Sequence, residues 1–189
     1  DKEYSWDGVA RLVPSMISAG LLGYAFTCPD MIGGGQFGSF IDIDPDEFDQ
    51  ALIVRSCQIH SMMPMMQFSV APWRILSPEN LEICKKYALL HQEMGPYILE
   101  MAEHAAKTGE PIVRAMDYMF PGQGFEECND QYMLGDRILV APVMDNGTSR
   151  SVKLPEGNWT DETGQAYEGG KIYQLDVPLS RLPIFYLNK

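Results

Sequence analysis

The chain has 189 residues, 46% of them hydrophobic, a formal net charge of -12 and a pI near 4.5. This length allows one sizeable core or two modest ones. The negative charge argues against nucleic acid or an anionic membrane as a partner, because both would repel the chain, and no run reaches the roughly 18 apolar residues of a membrane span.

The N-terminal residues predict a helix followed by a strand. Residues 7–19 carry apolar side chains at helical spacing, interrupted by Pro14, and Gly20 is expected to close this helix. The next run, LLGYAFT at residues 21–27, lacks apolar–polar alternation. It therefore predicts a buried strand.

The same succession repeats along the chain. Residues 45–59 predict a second helix that starts at Pro45, and the apolar run MMPMMQFSVA, residues 62–71, predicts a second buried strand. A long helix follows over about residues 78–108, with a break expected at Gly95-Pro96 and a cap at Gly109. Strands that alternate with helices are typical of a parallel sheet.

The sequence changes character near residue 110. Short β-rich runs follow, separated by turn residues, and Asn146-Gly147 predicts a hairpin tip with Val140 and Val143 in strands. We therefore predict an α/β part over residues 1–109 and an antiparallel module over residues 110–189. Two strands cannot close a (β/α)₈ barrel, which needs about 200–250 residues, so the first part is expected to be the end of something larger.

An acid followed by glycines marks the end of the first predicted strand. Asp30 lies in the stretch CPDMIGGGQFGSF, residues 28–40, just before Gly33 to Gly35. The carboxyl ends of strands are where sites assemble in α/β folds, and glycines would let a ligand approach the backbone. The alternative is a plain turn that begins at Pro29-Asp30.

The cysteines and acidic residues do not predict a metal site. Cys28, Cys57, Cys84 and Cys128 form no C-x-x-C pair, and the three histidines do not complete a zinc pattern, so reduced, packed thiols are expected. The acidic residues between positions 42 and 49 lack EF-hand spacing and are better explained as a solvated helix start.

Short motifs occur in one order over nearly the whole chain. They are Asp1 to Trp6, Gly20 to Gly23, Pro29 to Gly34, Arg55 with Gln58 and Pro64, Pro72-Trp73, Pro96-Tyr97, Gly109 to Pro111, Gly135 to Val143, and Leu154 to Trp159. In this order they resemble glycoside hydrolase family 31. The segments DMIGG and PMMQFSVAPWR resemble most the branch with myogenesis-regulating glycosidase and α-galactosidase-like members.

The resemblance implies a fold and a chemistry. It implies the C-terminal portion of a (β/α)₈ barrel followed by an antiparallel β-sandwich. Retaining glycosidases use two carboxyl groups. The resemblance makes Asp1 the general acid/base and places the nucleophile on an earlier barrel strand, which this chain does not supply. It implies no cofactor and no metal.

Substrate contacts are expected from residues at the strand ends. These candidates are Asp30, Gln67, Ser69 and Trp73. Ser69 replaces the family's sugar-binding histidine, which favours a sugar other than glucose. Trp73 could stack on a sugar ring or pack beneath a loop.

Two functions remain open at this stage. The first is a fragment of a retaining α-glycosidase that acts on terminal α-galactosides or α-glucosides. The second is a non-catalytic carbohydrate-binding or scaffold domain of glycosidase ancestry. The expected partners are a glycoside or oligosaccharide and the remainder of the barrel, with no nucleic acid and no membrane. The compartment, the sugar and the oligomeric state are left open.

Overall fold

The computed structural model describes residues 2–34 and 48–188. Helices form the first part: α1 Trp6–Ala10, α2 Leu12–Leu21, α3 Gln50–Ser61 and α4 Pro78–Thr108. Side chains cap these helices as polar N-cap residues usually do. The Ser5 hydroxyl accepts from the Gly8 N–H at 3.0 Å, and the Asp49 carboxylate accepts from the Leu52 N–H at 3.1 Å. No helix within these ranges is long and apolar enough to cross a bilayer.

Helix α4 confirms one sequence prediction and corrects another. It spans the predicted 78–108, and Gly109 caps it with a φ of 79°. The expected break at Gly95-Pro96 was wrong, because α4 runs through both residues without interruption. Pro96 is exposed, so water can hydrate the backbone carbonyl that the missing N–H leaves unpaired.

The two predicted buried strands do not form among the described residues. Helix α2 continues through Leu21 instead of closing at Gly20, and Gly23, with a φ of 92°, follows its end. The side chains of Leu22 and Tyr24 are exposed. Of the second predicted strand, only Phe68 makes a β-bridge, with Ile32, and this bridge is parallel. A strand needs partners for its backbone N–H and C=O groups. Among the described residues, this single bridge is the β-pairing that the second run makes.

The second predicted helix begins at a different residue from the one expected. Helix α3 starts at Gln50, after its cap residue Asp49. The predicted opening at Pro45 and Asp46 lies outside the described residues. So do Gly35 and most of the acidic cluster.

The residues after α4 form antiparallel sheets, as predicted. A six-stranded sheet has the order β1-β2-β3-β8-β5-β6, and β4 pairs with β7 in a second sheet. A short helix, α5, follows β1. The bounds are β1 Val113–Arg114, α5 Met116–Met119, β2 Tyr132–Leu134, β3 Ile138–Val140, β4 Ser149–Lys153, β5 Asn158–Asp161, β6 Ala166–Glu168, β7 Ile172–Asp176 and β8 Ile184–Leu187.

Alternate side chains of the large sheet enter two different cores. Tyr132 and Leu134 belong to the core shared with the helices, whereas Met133 between them belongs to a second core. The second core also holds Val152 of β4 and Leu175 of β7. The large sheet is therefore covered on both faces, which explains why β2 and β3 are apolar at every position.

The hairpin predicted at Asn146-Gly147 was wrong. These residues connect β3 of the large sheet to β4 of the small sheet, and the Asp145 carboxylate accepts from the Gly147 N–H at 2.9 Å. Val140 lies in β3 as predicted, but Val143 lies in the connection. Among the described residues, hairpins join β2 to β3 and β5 to β6.

Helix α3 is tied to the β-rich part by two buried polar side chains. The Arg55 guanidinium donates to the carbonyl oxygens of Gly147 at 3.1 Å, Val177 at 2.8 Å and Arg181 at 3.0 Å. The Gln58 amide donates to the Leu179 carbonyl oxygen at 2.6 Å. Burial lowers the pKa of Arg55, so these oxygen acceptors are what keeps the buried cation stable.

Asp161 makes the stability of the β-rich part depend on pH in the acidic range. Its carboxylate is buried. It accepts hydrogen bonds from Thr163, Gln165 and Tyr167, and it forms an ion pair with Arg181. Burial raises the pKa of Asp161, but the hydrogen bonds outweigh it and the net pKa is lowered. A carboxyl group whose pKa is lowered by folding stabilises the fold at pH values above its pKa in the unfolded chain, which is about 3.9 for aspartate.

We therefore expect stability to be lost as the pH falls below about 4, through the protonation of Asp161. Urea unfolding at a series of pH values would show a smaller pH dependence in Asp161→Asn than in the unmodified chain. The exposed residue Asp176 provides the control, since Asp176→Asn should follow the unmodified chain. Equal slopes in all three proteins would contradict this role for Asp161.

Candidate functional site

The Asp30 carboxylate lies beside the beginning of the chain. It accepts a hydrogen bond from the backbone N–H of Lys2, the residue that follows Asp1. Asp30 has a φ of 91° and is the non-glycine residue with a positive φ among those described. This conformation is unfavourable for an L-residue, so the surrounding contacts must hold it. Asp1 itself lies outside the described residues.

The glycines after Asp30 allow a close backbone approach. Gly34 has a φ of 60°, and a Cβ atom at this position would lie 2.7 Å from the carbonyl oxygen of Lys2. A larger residue would push the turn away from the N-terminal segment. The glycine therefore brings two backbone segments together, in addition to any role in ligand access.

The segment around Phe68 lies against the Asp30 turn. The backbone N–H of Ile32 donates to the carbonyl oxygen of Gln67 at 2.7 Å, next to the parallel bridge between Ile32 and Phe68. The Ser69 hydroxyl donates to the Ile32 carbonyl oxygen at 2.9 Å, whereas Gln67 is exposed. Residues from three places in the chain thus lie side by side, around positions 2, 30 and 68.

Two buried side chains of α3 contact the Asp30 turn. The Nε2 atom of the buried His60 lies 3.0 Å from the carbonyl oxygen of Asp30, and its Nδ1 lies 2.7 Å from that of Ser56. The Ser56 hydroxyl accepts from the Gly33 N–H at 3.3 Å. Burial lowers the pKa of His60, against the opposing effect of the two carbonyl contacts.

The Cys28 thiol also contacts this turn. Its Sγ donates to the carbonyl oxygen of Asp30 at 2.9 Å, and burial raises its pKa. A raised pKa keeps the sulfur protonated and therefore able to donate. The four cysteines are free, as predicted.

A cleft opens in front of the Asp30 carboxylate. It has a volume of about 440 Å³. Its lining residues are Lys2, Ser15, Met16, Ala19, Thr27, Cys28, Pro29 and Asp30. The Lys2 ammonium donates to the Ser15 hydroxyl at 2.7 Å on its wall. A carboxylate, an ammonium group and hydroxyls in one cleft can all form hydrogen bonds with a ligand rich in hydroxyl groups.

Trp73 lies apart from this cleft. Its side chain is 73% exposed on a 3₁₀ turn, Pro72–Arg74, so it is not packed beneath a loop. It borders an apolar groove of about 450 Å³ together with Phe68 and Leu81. Phe68 lines the groove and Asp30 lines the cleft, and the two share no lining residue.

Sequence reasoning singled out Asp30 but missed the residues that hold it. The motif resemblance did not single out Ser56 or His60 as site residues. Their spacing of four residues, which places both on one helix face, was the available signal. The contact with the Lys2 N–H could not be predicted from the sequence, because every residue except proline has a backbone N–H donor.

Comparisons with known proteins agree along the whole chain. Residues 109–188 match the sequence model of the glycosyl hydrolase family 31 C-terminal domain. The chain is 33% identical over 194 residues to myogenesis-regulating glycosidase of Mus musculus, an alignment that covers 100% of this chain and 27% of that protein. It is 31% identical over 194 residues to SITS-binding protein of Tetronarce californica, with 99% and 27% covered.

Solved structures have the same fold. A GH31 dextranase of Flavobacterium johnsoniae complexed with isomaltotriose is 30% identical with a TM-score of 0.85, and the match covers 97% of this chain and 23% of the dextranase. A GH31 α-xylosidase from a soil metagenome complexed with xylose is 28% identical with a TM-score of 0.86, with 99% and 31% covered. The chain spans about a quarter of the length of the curated relatives that it matches.

Proposed function

This chain is homologous to glycoside hydrolase family 31 and carries the C-terminal domain of that family, and from this premise we propose that it is part of a retaining α-glycosidase. The resemblance inferred from the sequence motifs is confirmed. The proposed enzyme hydrolyses terminal α-linked sugars, of the α-galactoside or α-glucoside type, in a longer protein. In that protein, residues 1–109 would complete a (β/α)₈ barrel and residues 110–189 would form the β-sandwich.

The proposed mechanism uses two carboxyl groups. A nucleophile from outside this chain attacks the anomeric carbon, while Asp1 protonates the leaving oxygen. Asp1 then removes a proton from the water that hydrolyses the glycosyl-enzyme. The two carboxyl groups of a retaining enzyme lie roughly 5–5.5 Å apart, so the backbone next to Asp1 has to be held in place.

The observation that carries this proposal is the hydrogen bond from the Lys2 N–H to the Asp30 carboxylate. It brings an acid into contact with the residue that follows the proposed acid/base. The parallel bridge from Ile32 to Phe68 brings the segment around residue 68 to the same place. Carboxyl ends of consecutive parallel strands form the active-site face of a barrel.

Sugar binding is proposed for the residues around this face. Asp30 lines the cleft, Gln67 is exposed, and Ser69 is fixed to the Ile32 carbonyl oxygen. Carboxylate and amide groups bind sugar hydroxyls through directed hydrogen bonds. The exposed indole of Trp73 is proposed to stack on a more distant part of the substrate.

The 189-residue chain alone is expected not to hydrolyse glycosides, because it carries one of the two required carboxyl groups. The purified chain and the longer protein would be assayed on aryl α-galactosides and α-glucosides. We expect turnover by the longer protein only. Turnover by the short chain that Asp1→Asn abolishes would contradict the fragment proposal. Sugar binding by the longer protein without any turnover would favour the alternative, a carbohydrate-binding domain that has lost catalysis.

Asp30→Ala in the longer protein is expected to lower kcat/KM at least about tenfold. The change removes a charged acceptor both from the cleft and from the Lys2 N–H. Steady-state kinetics and a thermal melt would be compared with Asp7→Ala, since Asp7 is exposed in the first turn of α1. Unchanged kinetics in a folded Asp30→Ala protein would mean that this acid only shapes the turn.

A further inference from the structure

Helix α3 contacts both ends of the Asp30 turn. The His60 Nε2 reaches the carbonyl oxygen of Asp30 at 3.0 Å, and the Ser56 hydroxyl reaches the N–H of Gly33 at 3.3 Å. Both side chains are almost fully buried, His60 at 0% and Ser56 at 3% exposure. They lie four residues apart on one rigid helix, so they fix two points of the turn relative to each other.

These two contacts constrain where the Asp30 side chain lies, together with the Cys28 thiol, which also donates to the Asp30 carbonyl oxygen. A bond to the Asp30 carbonyl oxygen orients the peptide plane after Asp30, and a bond to the Gly33 N–H orients the plane before Gly33. The positive φ of Asp30 is unfavourable without such support. Its carboxylate accepts a hydrogen bond from the Lys2 N–H. The order of contacts is therefore α3, the Asp30 turn, and the backbone of Lys2.

We propose that His60 and Ser56 are positioning residues that hold the Asp30 turn, so that the Asp30 carboxylate fixes the backbone of Lys2. Any consequence for catalysis rests on the proposed function. The contacts among α3, the turn and Lys2 do not depend on it. Both ring nitrogens of His60 lie next to carbonyl oxygens, which can only accept, so the proposed contact with Asp30 requires the ring proton on Nε2.

Nuclear magnetic resonance of the ¹⁵N-labelled 189-residue chain tests this proposal. The readouts are the hydrogen exchange rates of the Lys2 and Gly33 amides and the protonation of the His60 ring nitrogens. His60→Leu is expected to raise the exchange rate of the Lys2 amide about tenfold or more, as Asp30→Ala does. The double variant should exchange at the rate of Asp30→Ala alone, because His60 acts through Asp30.

Conservative and control variants separate positioning from loss of folding. His60→Gln keeps a side-chain N–H near the Nε2 position and should restore slow exchange at Lys2. Ser56→Ala should speed exchange mainly at Gly33. His91→Gln provides the matched control, because the His91 Nδ1 contacts the Ser61 carbonyl oxygen at 3.1 Å, outside the turn. It should leave both amides unchanged.

Three results would overturn the proposal. The first is Lys2 exchange at the rate of the unmodified chain in a folded His60→Leu protein, together with unchanged Gly33 exchange in Ser56→Ala. The second is additive effects of His60→Leu and Asp30→Ala on Lys2 exchange, and the third is a His60 Nε2 without a proton. None of these measurements involves turnover. A longer protein without glycosidase activity would therefore overturn the proposed function and leave this inference standing, and the reverse also holds.

Discussion

Arg55→Ala is expected to lower the free energy of unfolding by about 3–5 kcal/mol, because each buried acceptor left without a donor costs about 1–3 kcal/mol and the change affects several of them. The Arg55 guanidinium donates to three backbone carbonyl oxygens between Gly147 and Arg181 and to the Gln58 side chain. Truncation would leave these acceptors buried without a donor and would open a cavity the size of the side chain.

Urea unfolding of the 189-residue chain, followed by circular dichroism, measures this loss. Arg74→Ala is the matched control, since Arg74 is exposed and its removal should change the free energy of unfolding by less than about 0.5 kcal/mol. Arg55→Lys should fall between the two, because it keeps the charge but offers fewer directed donors. A loss below about 1 kcal/mol in Arg55→Ala would show that solvent replaces the carbonyl contacts.

The Arg55 contacts also bear on the candidate site. Arg55 and Gln58 hold α3 to the connections of the β-rich part, while Ser56 and His60 on the same helix hold the Asp30 turn. Helix α3 therefore joins the β-rich part to the turn. The helix backbone deforms little, so it keeps the β-rich part and the Asp30 turn at a fixed distance from each other. This arrangement gives the antiparallel part a role in the geometry of the site without contributing a residue to the cleft.

Features that depend on neighbouring residues could be predicted from the sequence. The ends of α4 follow from the helical period and the αL glycine Gly109, which act locally, and the structure adds a side-chain cap from Ser77. The antiparallel character after residue 110 follows from the dense turn residues. Both predictions rest on local chemistry, and both agree with the structure.

Features that depend on distant partners could not be predicted in this way. The runs 21–27 and 62–71 are apolar enough for buried strands, but a strand forms only where another strand lies beside it. Asn146-Gly147 is a turn in the structure, yet the turn alone does not determine which sheet the next strand joins. The support of Asp30 by His60 spans 30 positions in the chain, and no local pattern records such a contact.

Asp1→Asn in the longer protein is expected to reduce kcat/KM on an unactivated disaccharide by about 10²–10⁴-fold, the usual contribution of a general acid or base. The amide cannot protonate the leaving oxygen or take a proton from water. It keeps a similar size, so the hydrogen bond between the Lys2 N–H and Asp30 should persist. Steady-state kinetics on paired substrates with poor and good leaving groups measure the effect, with Asp7→Asn as the control for an exposed aspartate.

The pattern of the loss identifies the role of Asp1 within the proposed mechanism. An aryl glycoside with a good leaving group needs little protonation, so formation of the glycosyl-enzyme should be affected much less than with the disaccharide. Hydrolysis of that intermediate still needs a base, and azide should therefore accelerate turnover because it attacks without losing a proton. The product should be an α-glycosyl azide, since two inversions retain the configuration. Equal losses on both substrates without azide acceleration would exclude Asp1 as the acid/base and would assign its effect to binding or folding.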